Sequence, residues 1–135
     1  MTVDELIAEA YRLDREGDER AAIRYYDEAY RLGVPADKRR RFLVGYGSTL
    51  RNVKRVDDAV GILAQAIADD PEYPAYAPFL ALALMDAGHA KAALATMLGC
   101  LLDAAKPGVL DGYERALGEY HQELLALEPG VPREP

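Results

Sequence analysis

The sequence predicts an all-α chain made of three helical hairpins and closed by a C-terminal helix. Three observations carry this reading. Apolar residues recur at intervals of three and four along most of the chain, the period of one helix face. Glycine and proline fall between these runs, at Gly17, Gly33, Pro35, Pro71, Gly88 and Pro107. The triplets Ala22/Tyr26/Ala29, Ala59/Leu63/Ala66 and Ala93/Met97/Cys100 share internal spacings of 4 and 3, and their first members lie 37 and then 34 residues apart.

The elements follow in order. Thr2 and Glu5 have the spacing of a capping box, Leu6, Ala10 and Leu13 give the first helix its inward face, and Gly17 stands where that helix should stop. The second helix shows Ala22, Tyr25 or Tyr26, and Ala29 on one face and ends at Gly33 and Pro35. Leu43, Tyr46, Gly47 and Leu50 mark the third; Val56, Ala59, Leu63 and Ala66 mark the fourth, before Pro71. Leu80, Ala81 and Leu84 mark the fifth, Gly88 the turn, and Ala93, Met97, Cys100 and Leu101 the sixth. The hairpins are expected over about residues 3–34, 37–70 and 74–105. Leu110, Tyr113, Leu117, Tyr120 and Leu124 then form one stripe of a last helix over about 109–127, expected to cap the apolar side of the final hairpin. The proline-rich residues 128–135 read as a flexible tail.

The same register asks for small residues where the two helices of a hairpin cross. Twelve positions before each triplet stand Ala10, Gly47 and Ala81, and three positions further on stand Leu13, Leu50 and Leu84. A helical hairpin repeating about every 34 residues is the tetratricopeptide pattern, and the chain resembles that family over residues 3 to about 107. The family's turn glycine is met by Gly17 and Gly88 but replaced by Lys54, its closing proline is met by Pro71 and approximately by Pro35 and Pro107, and its first-helix aromatic is missing. "YGSTLRNVKRVDDAVGILAQAI" followed by "FLALALMDAGHAKAAL" is similar to the bacterial group 5 tetratricopeptide repeats. The resemblance implies one domain over residues 1–127, a right-handed α-solenoid, and a protein-binding scaffold rather than an enzyme.

The bulk properties agree with that class. At 135 residues the chain suits one domain with its own core. A single cysteine excludes an internal disulfide, and the acidic start "MTVDELIAEA" does not read as a signal peptide, so a cytoplasmic protein is expected. No apolar run approaches a membrane span, since Pro78 and Asp86 interrupt "YAPFLALALMDAG". A net charge of −7 argues against nucleic acid as a partner. Yet residues 38–55 hold 7 of the 16 basic residues and none of the acidic ones, an isolated cationic island.

That island contains "LVGYGSTLRN", which invites a phosphate-loop reading. The reading fails, because Gly47 is followed by Ser48 rather than the lysine of a P-loop, and Leu50 stands where a dinucleotide fingerprint needs its third glycine. A nucleophile elbow around Ser48 would need glycine where Tyr46 and Leu50 stand. In the helical register Gly47 occupies the close-crossing position, whereas Gly45 has no assigned reason. His89 and His121 lack partners at metal-ligand spacing, Cys100 sits at a core repeat position, and neither a metal nor a cofactor is expected.

In the family, the exposed face of each first helix lines a concave groove that holds peptides. Carried over by register, the groove candidates are Tyr11 with Ile7 and Asp14 in the first unit, Arg41, Val44, Ser48, Arg51 and Asn52 in the second, and Phe79, Leu82 and Met85 with Pro78 in the third. Arg51 suits a carboxylate, Asn52 a peptide backbone, and Tyr11, Phe79 and Met85 an apolar anchor. The expected partner is a protein or peptide segment carrying an acidic group. The family's carboxylate clamp is not reproduced, because Ile7, Tyr11 and Gly45 stand at three of its positions. Two alternatives stay open: a homodimer that uses the apolar groove, and a binder or enzyme of small anionic molecules. The island itself has a structural reading, in which it pairs with Asp14, Glu16, Glu19, Asp57 and Asp58 on neighbouring helices.

Overall fold

The computed structural model describes residues 1–126. Among these residues seven helices run in order: α1 (Val3–Arg15), α2 (Glu19–Leu32), α3 (Arg39–Asn52), α4 (Val56–Asp69), α5 (Tyr76–Asp86), α6 (Ala90–Ala104) and α7 (Glu114–Ala126), with a 3-10 turn at Ala36–Lys38. The first six pair as α1/α2, α3/α4 and α5/α6, and each hairpin stacks on the next to make a helical solenoid of repeats. Thr2 caps α1 with the full reciprocal box: its hydroxyl accepts from the Glu5 amide while its own amide donates to the Glu5 carboxylate.

The three hairpin turns are built alike. In each, a residue in the left-handed region closes the first helix: Gly17 at φ 81°, Lys54 at φ 71° and Gly88 at φ 90°. The amide one residue later reaches back five positions, from Asp18 to Leu13 O, Arg55 to Leu50 O and His89 to Leu84 O, the six-to-one bond of a Schellman cap. These turn positions repeat at the same intervals as the triplets, so the repeat holds down to individual hydrogen bonds.

Packing explains the small residues. A Cβ on Gly47 would stand 2.6 Å from Leu63 Cγ, so α3 and α4 cross too closely for even an alanine without displacement. Ala10 and Ala81 fill the equivalent crossings and are buried. One continuous core runs from Leu6 in α1 to Ala93 in α6. At its centre Tyr26 is wholly buried among rings, with centroids 5.4 Å from Phe42, 5.8 Å from Tyr46 and 6.1 Å from Tyr11.

The C-terminal end departs from expectation. The last helix begins at Glu114 rather than near residue 109, because Gly108, Asp111 and Gly112 all take positive φ and hold residues 107–113 in turns. Leu110 and Tyr113 therefore lie outside the helix, and both Tyr113 and Tyr120 are exposed; the inward positions of α7 are Leu117, Gly118, His121 and Leu124. Nor does α7 close the end of the array. It rests on the outer side of α6, where a Cβ on Gly99 would meet His121 Nε2 at 3.0 Å and where Ala95 is fully buried. The matching outer positions of α2 and α4 hold Arg24 and Glu28, then Gly61 and Gln65, and only α6 has a side apolar and narrow enough for another helix. As a result Met97 is exposed and Cys100 only half-buried, although both occupy repeat positions that are core in the first two hairpins. Leu127 and the tail over 128–135 lie outside the described residues.

Candidate functional site

The face formed by α1, α3 and α5 gathers several of the expected groove residues and removes others. Ile7 is buried in the core, and Asp14 turns into the stack, where its Oδ2 accepts from the Tyr26 hydroxyl at 2.8 Å and from the Thr49 hydroxyl at 3.5 Å. Burial first, then the Asp14 hydrogen bond, pushes the Tyr26 phenol far above its usual range, so that it stays a neutral donor. Tyr11 remains half-buried at the surface of this network, with its own phenol raised by burial.

Arg41 lies over Tyr11, its guanidinium carbon 4.3 Å from the ring centroid. On the same helix Val44 and Ser48 are half-buried, and on α5 Phe79 packs partly against the core while Leu82 and Met85 are exposed. Tyr11, Arg41, Val44, Ser48, Phe79, Leu82 and Met85 thus stay at or near the surface on first helices. Gly45 lies half-buried in the same stretch because Tyr26 occupies the space a side chain would need: a Cβ there would be 2.7 Å from the Tyr26 hydroxyl.

Most of the rest of the cationic island is taken up by acids, those of neighbouring hairpins for Lys38, Arg51 and Arg55 and those of their own hairpin for Arg39 and Arg40. Arg51 bonds Asp86 on α5 at 2.8 Å, Lys38 bonds Asp4 ahead of it on α1 at 2.8 Å, and Arg55 bonds Asp27 on α2 at 2.7 Å and Asp58 on α4 at 2.9 Å. Arg40 forks onto Asp70 and lies 4.7 Å over the Tyr73 ring, and Arg39 stands 3.9 Å from Asp69. The Asp70 carboxyl is held below its usual range by the Arg40 hydrogen bond, and Lys38 is raised by its bond to Asp4. Asp69 and Asp70 end α4, where the helix dipole disfavours anions, so the two arginines offset a local cost. Of the acids expected to pair with the island's cations, Asp58 alone does so among the described residues, through Arg55.

Asn52 donates to Glu19 Oε1 at 3.0 Å and lines a shallow hollow of about 400 Å³ with Gly17, Asp18, Arg20 and Lys54. It therefore faces the turn end of the stack, engaged with α2. A second hollow, of about 280 Å³, is lined by Arg39, Arg40, Leu43, Asp69, Asp70 and Tyr76. Neither is lined by Arg51. Within the island, Arg41 is the groove-side cation without a carboxylate partner among the described residues.

Among the described residues no three His, Cys, Asp or Glu side chains converge as a metal ion would need, and no helix is long and apolar enough to cross a membrane. The site residue that spacing alone missed is Asp14 in its inward role. Its signal was the unexplained Gly45, which marks the space kept for the Tyr26 hydroxyl.

A family model described as tetratrico peptide repeat matches residues 5–124. The match runs past Pro107 and takes in most of α7, further than the residues that carry the repeat pattern. Among curated proteins and among solved structures, nothing matches the chain.

Proposed function

We propose that this chain, which belongs to the tetratricopeptide repeat family, captures an extended or helical segment of another protein along the face formed by its first helices. Repeats of this family generally mediate protein–protein interactions, and the finer reading concerns where and how. It rests on one observation: Arg41 sits over the Tyr11 ring, exposed, while the other arginines of the island, from Arg39 to Arg55, are engaged by acidic side chains. A guanidinium held by an aromatic ring keeps its hydrogen-bonding edge available and loses little freedom when it forks onto a carboxylate. Val44, Ser48 and Phe79 continue the surface toward Leu82 and Met85, so an acidic residue on Arg41 followed by apolar residues along α5 fits the arrangement. Arg51 and Asn52 hold the hairpins in place and enter only as the groove's rim.

The test is selection from a displayed peptide library with the purified chain as bait. Enriched peptides should carry a carboxylate next to apolar residues, and Arg41→Glu should weaken their binding by roughly tenfold or more, the scale of a lost charge-assisted bond. Helicity should be unchanged, since Arg41 is exposed and bridges no hairpin through an ion pair. Equal enrichment by wild type and Arg41→Glu would refute the assignment of this groove.

A further inference from the structure

The forward end of the first hairpin shows what a stacking face requires. Six of its residues, Tyr11, Asp14, Ile23, Tyr26, Asp27 and Tyr30, lie on that end, and five of them meet α3 directly. Arg41 covers Tyr11, Thr49 reaches Asp14, and the rings of Phe42 and Tyr46 pack on Tyr26. Tyr46 also donates to Asp27 and lies with its centroid 5.3 Å from that of Tyr30. Carried through the two repeat intervals of 37 and 34 residues, the same positions on the third hairpin are Leu82, Met85, Leu94, Met97, Leu98 and Leu101. All six are apolar. With α7 resting on the outer side of α6, this end stays open: Leu82 is 43 % exposed, Met85 58 %, Leu94 57 %, Met97 41 % and Leu101 47 %. Contiguous apolar surface of this kind on a soluble chain marks an interaction site.

The opposite end of the array cannot supply the cover. Phe42, Tyr46 and Thr49, the residues of α3 that seat on the first hairpin, correspond by register to Glu5, Glu9 and Arg12 of α1. These are charged and tied into local pairs, Glu5 with Thr2 and Arg12 with both Glu9 and Glu16. Head-to-tail stacking of one molecule on the next would bury those charges against leucines and methionines, which is strongly unfavourable. The remaining self-complementary arrangement puts the open ends of two molecules together. In that arrangement α6 presents Leu94, Leu98 and Leu101, at the same i, i+4, i+7 spacing as Phe42, Tyr46 and Thr49. None of the six residues carries a charge that would be buried against its own copy.

We infer that the C-terminal end face made by Leu82, Met85, Leu94, Met97, Leu98 and Leu101 binds the same face of a second copy, in a two-fold dimer with the two α6 helices crossing antiparallel at its centre. Such an interface is isologous and closes at two molecules. It is distinct from the groove around Arg41, although Leu82 and Met85 stand where the two surfaces meet.

Sedimentation of the full chain, followed from roughly micromolar to roughly millimolar concentration, reads the assembly directly. The mass should rise from the 14.8 kDa of one chain to twice that value and no further. Added salt should favour the dimer, because it screens repulsion between two molecules of net charge −7 while leaving apolar contact intact. Met97→Glu and Leu94→Glu should each weaken dimerisation by about a hundredfold or more, since each places like charges close to a two-fold axis. Both sites are exposed in the single chain, so helicity should hold, as should the Tm measured at concentrations where the wild type is itself monomeric. In a Cys100→Ala background, Met97→Cys should form an intermolecular disulfide on mild oxidation. Arg41→Glu should leave the dimer untouched, which keeps failure of this proposal separate from failure of the groove. A wild-type chain that stays monomeric throughout, a dimer that survives Met97→Glu, or a monomer whose end face takes the helix of a different protein would each overturn the assignment.

Discussion

Two glycines two residues apart in α3 have different reasons for being there. In a helix interior each forgoes about 1 kcal/mol against alanine, so both need a tertiary cause. Gly47 follows from the repeat itself, because every hairpin needs a small residue where its helices cross. The cause of Gly45 is a hydroxyl 19 positions earlier in the chain, the Tyr26 phenol that reaches across the stack to Asp14. No local spacing carries that information, and this is why the position could be flagged from the sequence but not explained. The cause can be tested by a double-mutant cycle. Gly45→Ala alone should destabilise the fold by about 1–3 kcal/mol, the usual range for overpacking. Tyr26→Phe alone should also destabilise, through the lost hydrogen bond to a half-buried carboxylate. Combined, the substitutions should cost clearly less than their sum, because without the hydroxyl the nearest Tyr26 atom lies 3.4 Å from the new Cβ, an ordinary contact. Strictly additive unfolding free energies from denaturant titration would disprove this account of Gly45.

At the level of the helix, the three turns offer an internal comparison. Their hydrogen bonds coincide, yet only the first has both preferred residues: Gly17 at the left-handed position and Asp18 at the N-cap, whose carboxylate accepts from the Ala21 amide. The second turn forces Lys54 into the left-handed region, and the third has His89 at the N-cap with no side-chain bond, although its φ of −106° and ψ of 62° are close to the −90° and 72° of Asp18. Lys54→Gly should therefore stabilise by about 0.5–1 kcal/mol, the relief of left-handed strain less the extra freedom glycine has in the unfolded chain. His89→Asp should add about 1 kcal/mol through a new cap and a favourable charge at the α6 N-terminus. Thermal unfolding of each variant would measure both effects, and a fall in Tm for either would contradict the equivalence of the turns. This equivalence was legible in the sequence, as were the six hairpin helices and the buried faces of the first five, because caps, left-handed residues and small crossing residues are local features with fixed offsets. The seat of α7 was not. It depends on α6 offering Ala92, Ala95 and Gly99 on a side that the earlier hairpins expose, and a register fitted to inward positions leaves that side unexamined. The ion pairs of the cationic island were hidden for a similar reason, since Asp4, Asp27 and Asp86 lie 28–35 residues from their partners and become neighbours only through stacking.

Across the whole molecule, cohesion is unequal from one end to the other. The middle hairpin is joined to both neighbours by ion pairs, to the first through Lys38 and Arg55 and to the third through Arg51, and it shares with them one core centred on Tyr26, Phe42 and Leu63. Exposed pairs of this type contribute little one by one, so the shared core is what makes the hairpins open together. The last helix has neither support. No residue of α7 is buried, its one ion pair among the described residues links Arg115 to Glu119 within the same helix, and it follows a run of turns held by three residues at positive φ. Buried apolar contacts set the free energy of local opening. Helix α7 should therefore open by itself, well below the free energy of global unfolding, while α1 to α4 open only with the whole. Native-state hydrogen exchange should find the amides of α7 the least protected helical amides among the described residues and insensitive to the stabilising Lys54→Gly change, whereas the slowest amides of α3 and α4 should slow in step with it. Protection of α7 equal to that of α3 would mean that the helix is held by contacts stronger than those at Gly99 and Ala95. Slowing of α7 by Lys54→Gly would mean that it unfolds with the core rather than on its own.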